Sequence, residues 1–95
     1  MYLSKRDHTF VRFEKSKTKG KMYDAILINN NTKKERKLPF GQNDMGNYQD
    51  KTGLNLYPEL IHGDPVRRKA FKARFAHYLK DDYYSSAYYS YYFLW

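Results

Sequence analysis

The residues best suited to acid–base or metal chemistry in this chain are its histidines, His8, His62 and His77. No HxxxH or HxH spacing occurs, so metal ligation would require the fold to bring these side chains together with carboxylates. The stretch His62-Gly63-Asp64 holds an imidazole and a carboxylate side by side, which is the pair of groups that general acid–base catalysis uses. We favour the simpler interpretation, a loop histidine beside an aspartate that caps a helix.

Nucleophilic catalysis has no candidate residue in this sequence. The chain contains no cysteine, which also excludes a disulfide framework and cysteine-ligated zinc. There is no GxSxG motif and no glycine loop that would cradle a phosphate. We therefore expect a protein that is not an enzyme, that needs no cofactor and no metal, and that takes no small-molecule substrate.

Positive charge is the strongest chemical signal in the chain. The formal net charge is +8, from 18 basic and 10 acidic residues, and it is unevenly distributed. Residues 1–40 carry +7, residues 41–66 carry −3, residues 67–82 carry +4 and residues 83–95 carry none. Positive blocks attract phosphates, anionic membrane surfaces or acidic proteins.

The cations that we predict to bind an anion or a nucleic acid lie in two turns and one helix. They are Lys15, Lys17, Lys19, Lys21, Lys33, Lys34, Arg67, Arg68, Lys72 and Arg74. Such a set would neutralise several phosphates with salt-dependent affinity. The alternative is that lysine-rich turns keep a small aromatic protein soluble.

The last thirteen residues, YYSSAYYSYYFLW (83–95), are uncharged and include six tyrosines, Phe93 and Trp95. Two placements of this tail are open. It would either fold back over the domain's own sheet or dock into another protein, because tyrosine and tryptophan anchor interfaces. The residues that we predict to dock are Tyr88, Tyr89, Tyr91, Tyr92, Phe93, Leu94 and Trp95.

The elements that must position these groups begin with three strands. Period-two alternation and polar turns predict them at HTFVRFEK (8–15), MYDAILIN (22–29) and ERKLPF (35–40). The apolar run 25–28 places the second strand at the centre of the sheet. Pro39 predicts that the third strand either is an edge strand or ends at this residue, because proline cannot donate to a ladder.

Alternation along the first strand predicts which side chains share a face. Phe10 and Arg12 should point to one side of the sheet, and Val11 and Phe13 to the other.

The second half of the chain predicts a loop-rich connector and one helix. Residues 41–53 are rich in Gly, Asn and Asp, and the apolar residues of 54–61 should pack on the sheet. Asp64 and Pro65 suit the N-cap and first position of a helix that runs to about Lys80. Its apolar positions fall on one face: Val66, Ala70, Phe71, Phe75, Tyr78 and Leu79.

These elements together predict an α+β fold. It consists of an antiparallel β-meander of about three strands, the connector, one amphipathic basic helix and an aromatic C-terminal tail. At 95 residues the chain is one domain at most. We place a single small α+β domain at residues 1–82 and a Tyr-rich docking tail at residues 83–95.

A spaced set of residues between Phe40 and Trp95 carries a family resemblance. The set is Phe40-Gly41, Tyr48, Asp50, Thr52, Leu54, Leu56-Tyr57, His62-Gly63-Asp64, Arg67-Arg68, Phe71, Arg74 and Tyr91-Tyr92-Phe93-Leu94-Trp95. In this set the chain resembles a family of small basic uncharacterised proteins of nucleocytoplasmic large DNA viruses, the giant viruses of protists and algae. Family members tend to end an RRxxYxxRH segment with Arg-His, whereas Phe75 follows Arg74 here.

The resemblance implies a viral setting and no reaction mechanism. We expect a non-enzymatic structural protein of a large DNA virus particle, of the minor capsid or cement type, that docks through its aromatic tail. Its partners would be other virion proteins, together with nucleic acid or an anionic membrane surface. It would lie in the virion and, during infection, in the host cytoplasm or nucleus. The alternative is a basic viral nucleic-acid-binding or genome-condensing protein.

Overall fold

The computed structural model describes residues 2–95, which form five strands and two α-helices. The strands are β1 (Tyr2–Ser4), β2 (His8–Lys15), β3 (Lys21–Asn29), β4 (Glu35–Gln42) and β5 (Tyr83–Ser85). The helices are α1 (Pro65–Phe75) and α2 (Ser86–Tyr89). Short 3-10 helices lie at Pro58–Leu60 and Ala76–Tyr78, and a π-helical turn lies at Ser90–Leu94. The predicted α+β class is confirmed.

The three-stranded antiparallel meander is present as predicted, with β3 between β2 and β4. Residues 22–27 of β3 are all buried, as the apolar run required of a central strand. Pro39 lies on β4 opposite Asp24, and β4 is an edge strand, where the missing amide donor of proline costs little.

The predicted alternation along β2 is wrong, because a β-bulge lies between Phe10 and Arg12. A bulge inserts one extra residue and changes the phase of the strand. The rings of Phe10 and Phe13, three residues apart, therefore contact each other at 4.7 Å between centroids. Val11 is the residue left outside, with 42% of its surface exposed.

The hydrophobic core is built around β3, the central strand of the meander. Strands β1, β3 and β4 contribute buried residues to it, and so does the tail. Its buried members are Leu3, Met22, Tyr23, Ala25, Leu27, Leu38, Phe40, Tyr89 and Leu94. Two of these nine residues come from 83–95, so the tail and the residues before it share one core.

The connector is fixed to the sheet by a buried hydroxyl. Tyr23 Oη donates to Asp50 at 2.5 Å and accepts from the Leu56 amide at 3.1 Å. Tyr57 and Leu60 pack against the core as predicted. Leu54 and Leu56 do not, since they stay 37% and 45% exposed.

The tail forms secondary structure that the sequence pattern did not predict. Strand β5 pairs antiparallel with β1, with Tyr2 opposite Ser85 and Ser4 opposite Tyr83. The Ser85 hydroxyl then caps α2 by accepting from the Tyr88 amide at 3.1 Å. Segments from the two ends of the chain thus make a second, two-stranded sheet.

Helix α1 begins as predicted and ends early. The Asp64 side chain accepts from the amides of Val66 and Arg67, and Pro65 is the first helical residue. The α-helix ends at Phe75 and continues as the 3-10 turn Ala76–Tyr78. The extended backbone of Leu79 (φ −77°, ψ 136°) then ends the helical segment just before Lys80. No residue of α1 is buried. Its predicted apolar face is therefore only partly covered.

Candidate protein-docking groove

Tyr89 is the centre of the aromatic cluster that joins the tail to the sheet. Its ring lies 5.4 Å from Phe40, 5.7 Å from Phe13 and 5.8 Å from Phe10. Such tilted and edge-to-face contacts each add about 0.5–1.5 kcal/mol beyond area burial. Burial raises the pKa of the Tyr89 hydroxyl, and the neighbouring Tyr84 and Tyr88 add to that shift. The hydroxyl has no hydrogen-bond partner among the described residues.

A second close contact places the tail over β4. Gly41 has φ +75°, and a Cβ atom there would lie 2.8 Å from Leu94 Cδ1. The amides of Tyr48 and Gln49 both donate to the Leu94 carbonyl at 3.0 Å. Glycine is therefore required at position 41 both by its backbone conformation and by the side chain that covers it.

The seven residues predicted to dock on another protein are mostly used within this chain. Tyr89 and Leu94 are buried. Only Tyr92 is largely exposed, at 48%. The other four are partly buried: Tyr88, Tyr91, Phe93 and Trp95. Of the two placements left open by the sequence, the structure has the tail on the domain's own sheet.

The partly buried Trp95 links the tail to α1. Its ring stacks on Phe71 at 4.4 Å with an interplanar angle of 4°, and Phe71 stacks on Phe75 at 4.3 Å. The Trp95 carbonyl accepts from Arg68 Nε and Gln49 Nε2, both at 3.1 Å. The packing of α1 against the rest of the fold thus depends on one indole and a few polar contacts.

Two of the predicted anion-binding cations take part in this link. The Arg68 guanidinium lies 4.7 Å from the Tyr48 ring, and the Lys72 ammonium lies 4.7 Å from the Tyr91 ring. Burial lowers the pKa of Lys72, and the charges of Arg68 and Lys51 lower it further. Arg68 and Lys72 therefore hold α1 against aromatic rings of this chain.

Beside this link, an open groove separates α1 from the sheet and the tail. Its volume is about 1180 Å³. The α1 wall presents Ala70, Phe71 and Ala73, and the opposite side is formed by small or polar residues of β4 and the tail. Those residues include Gly41, Gln42, Ser86, Ala87 and Ser90. Met45 and Tyr78 also line the groove, and each exposes about half of its surface, 58% and 48%.

The charges that line the groove are all positive. Lys21, Arg67 and Arg74 lie along it, and no aspartate or glutamate is among the described residues that line it. The nearest acid in sequence to Arg67 is Asp64, whose side chain already caps α1. The two ion pairs found between described residues both involve Arg12, which joins Glu14 and Glu35 on the meander.

The remaining predicted cations lie at the two ends of the meander. Lys15, Lys17 and Lys19 belong to the β2–β3 end, near Lys21 and the groove. Lys33 and Lys34 precede β4 at the opposite end. The nine residues of β3 separate the two ends by about 26 Å, at ~3.3 Å per residue. The ten predicted cations therefore do not form one surface.

The histidines are dispersed in the structure as well. His8 Nδ1 donates to the Ser4 carbonyl at 2.9 Å, and His62 Nδ1 accepts from the Asp64 amide at 2.9 Å. His62 also lies beside the Trp95 ring, with 5.2 Å between centroids. Within residues 2–95 no three His, Cys, Asp or Glu side chains converge as metal ligands would.

The sequence prediction missed the small residues of the groove. Ser86, Ala87 and Ser90 recur at helical spacing between the tyrosines of the tail, and all three line the groove. Ala70 and Ala73, three residues apart on α1, line the other side of the groove. Small side chains on two facing surfaces allow another backbone to come close. This spacing of small residues is the signal in the sequence that indicates the groove.

Comparisons with protein-family models, curated proteins and solved structures find no match for this chain. Across the residues that the structure describes, no helix is both long and apolar enough to cross a bilayer.

Proposed function

We propose that this protein is a non-enzymatic structural component of a large DNA virus particle, of the minor capsid or cement type, and that it acts by binding another protein. The viral setting rests on the resemblance carried by residues 40–95. The binding role rests on the groove beside α1.

The observation that carries the binding role is the exposure of α1. A helix of eleven residues with none buried contributes little to the stability of its own domain, because helices in proteins are stabilised mainly by packing an apolar face. Phe71 and Phe75 are only partly covered, and the apolar groove beside them is open. Exposed apolar surface with a polar rim is typical of protein interaction sites.

The tail supports this function indirectly. The contacts that Tyr89 and Leu94 make in the core join the tail firmly to the domain. Rigid aromatic anchors lose little entropy on binding. Trp95, which lines the groove, stacks on Phe71, and Tyr91 contacts Lys72, so that the tail fixes α1 at one side of a preformed groove.

Photo-crosslinking inside purified particles tests the proposal. A crosslinking amino acid is placed at Ala73, which lines the groove, or at Thr32, which is exposed in the turn at the far end of the meander. We expect the chain to copurify with the particle shell and to give a discrete protein adduct from Ala73 but not from Thr32. Absence of the chain from purified particles, or adducts with nucleic acid alone, would contradict the proposal.

A second candidate, nucleic-acid binding, is favoured by the grouping of cations at one end of the meander. Lys15, Lys17 and Lys19 lie at the same end as Lys21, and Lys21 shares the groove with Arg67 and Arg74. Phosphate binding by such a group would be strongly dependent on salt.

A DNA mobility shift over a salt series tests this second candidate. If the grouped cations contact phosphates, the double change Lys17→Ala/Lys19→Ala should reduce the salt slope by about 2. The matched control, Lys33→Ala/Lys34→Ala, removes the same charge from the opposite end and should leave the slope unchanged. Equal effects of the two variants would show that only net charge matters.

A further inference from the structure

The groove beside α1 has enough volume for a short helix. A helix with side chains is about 10 Å across and rises ~1.5 Å per residue. A cylinder about 10 Å wide and 15 Å long, which is about ten residues, encloses about 1200 Å³. The groove measures about 1180 Å³. Small-molecule pockets mostly fall between ~300 and 1,000 Å³, so this groove exceeds the usual range for a small ligand.

The two walls of the groove suit helix packing. On α1, Arg67, Ala70, Phe71 and Arg74 follow each other at spacings of three, one and three, which is one helical face. On the tail side, Ser86, Ala87 and Ser90 are small. On α1 the rings of Phe71 and Phe75 alternate with the small Ala70 and Ala73, so both walls offer gaps that the ridges of an inserted helix can enter.

The positive charge of the groove favours an acidic partner. Lys21, Arg67 and Arg74 line it, and among the residues described no aspartate or glutamate side chain does so. An apolar helix with acidic flanks would place its carboxylates against these three cations. Complementary charge at the rim of an interface speeds association and excludes partners of the wrong sign.

A second copy of this chain is a poor occupant on the same grounds. The protein carries a net charge of +8, and α1, its one long helix, has five Lys or Arg residues and no acid between Pro65 and Phe75. Inserting that helix into a cationic groove would bring like charges together, which is unfavourable.

We propose that the groove between α1, β4 and the tail binds an acidic amphipathic helix of a partner protein. This proposal rests on the proposed protein-binding function and adds to it the site and the chemistry of the partner. The apolar stripe of the partner helix packs between Phe71 and Ala87. Its carboxylates meet Lys21, Arg67 and Arg74.

The probe for this proposal is a blocked peptide of ~14 residues with leucines at helical spacing and glutamates between them. The peptide is titrated into the isotope-labelled protein, and binding is followed by two-dimensional NMR. We expect binding to shift the amide signals of α1 and of residues 85–90. The same peptide with lysine in place of glutamate should bind at least about tenfold more weakly. A scrambled peptide of identical composition should give no localised shifts.

Matched pairs of variants on or next to α1 distinguish binding in the groove from attraction to the overall positive charge of the protein. Arg74→Glu reverses a charge that lines the groove, and Lys69→Glu reverses an exposed charge on α1 that does not. Ala73→Trp fills the groove, and Ala76→Trp adds the same ring just beyond α1, outside it. We expect Arg74→Glu and Ala73→Trp each to weaken the peptide by about tenfold or more, and the two controls to change it by less than about twofold.

Each other result overturns the proposal in a recognisable way. Equal binding of the glutamate and lysine peptides would remove the charge argument, and shifts outside the groove would remove the site. Self-association that Ala73→Trp abolishes would make a second copy the occupant. Any of these outcomes is compatible with an Ala73 adduct in the particle and leaves the proposed function standing. If no protein adduct forms from Ala73 in the particle, the proposed function itself is contradicted, whether or not the peptide binds.

Discussion

The tail and α1 both carry aromatic residues that the sequence predicted to pack against protein, yet the tail is buried in the core and α1 is not. The uncharged tail places Tyr89 and Leu94 in the core, at 1% and 0% exposure. The basic helix α1 has no buried residue and stacks on the rest through Trp95. The comparison shows that aromatic content alone does not identify a docking surface. In this protein the more apolar segment stabilises the fold, and the more charged segment is left beside an open groove.

The largest effect is expected in the tail, from Tyr89→Ala. This change removes a ring that contacts Phe10, Phe13 and Phe40, and large-to-small changes of this kind cost about 3–5 kcal/mol. Urea denaturation followed by far-UV circular dichroism measures the loss. Tyr92→Ala is the matched control, since Tyr92 is 48% exposed, and it should cost no more than about 0.5 kcal/mol. Similar losses from both variants would mean that the tail does not pack as described.

A smaller effect is expected where the sheet meets the connector, from Tyr23→Phe. The variant keeps the ring but leaves the Asp50 carboxylate and the Leu56 amide without the hydroxyl that joins them. A broken buried hydrogen bond costs about 1–3 kcal/mol. The same denaturation assay measures the change, with Tyr92→Phe as the control. No loss of stability would show that the connector is held by other contacts.

Alkaline pH should lower the stability of the protein through Tyr23, which joins the sheet to the connector. Burial, helped by the hydrogen bond to Asp50, raises the pKa of Tyr23 to about 12, above the value of about 10 for an exposed tyrosine. The folded state therefore holds this proton more tightly, so its contribution to stability is complete below pH ~10 and is lost as the pH rises to ~12. The urea midpoint should fall across this window, and the fall should be shallower in Tyr23→Phe. An identical pH profile for the two proteins would exclude Tyr23 as its source.

The smallest effect on stability is expected in α1, from Phe71→Ala. Because Phe71 is only partly buried and contacts mainly Trp95 and Phe75, the unfolding free energy should fall by no more than about 1 kcal/mol. Trp95 is the single tryptophan, so its fluorescence reports this stack directly and should shift to longer wavelength. A loss as large as that of Tyr89→Ala would place α1 in the core after all.

Local pattern was enough to predict the parts of the fold that local chemistry determines. The three strands of the meander and the Asp64-Pro65 start of α1 follow from residue type and spacing. Pro39 limited its strand to two alternatives, an edge strand or a strand that ends there, and the structure has the edge strand. The pairing of β1 with β5 joins residues about 80 positions apart, and no local pattern encodes it. The bulge between Phe10 and Arg12 is a response to the core, since it brings two phenylalanines to the face that Tyr89 covers.

The candidate site was harder to predict than the fold. The sequence identified Arg67 and Arg74, which line the groove, but grouped them with Arg68 and Lys72, which contact rings of this chain. On a helix Arg67 and Arg74 lie on one face and Arg68 and Lys72 on another, and the position of the tail decides which face is free. The viral setting and the structural role in a particle remain predictions.

Residue-resolved hydrogen exchange of the free protein tests the central claim most directly, because it compares the tail and α1 in one measurement. Exchange protection follows the free energy of local opening. We predict that amides of residues 85–94 are protected to the same degree as those of β3, and that amides of α1 exchange much faster. Rapid exchange throughout the tail, or equal protection of α1 and β3, would contradict the account.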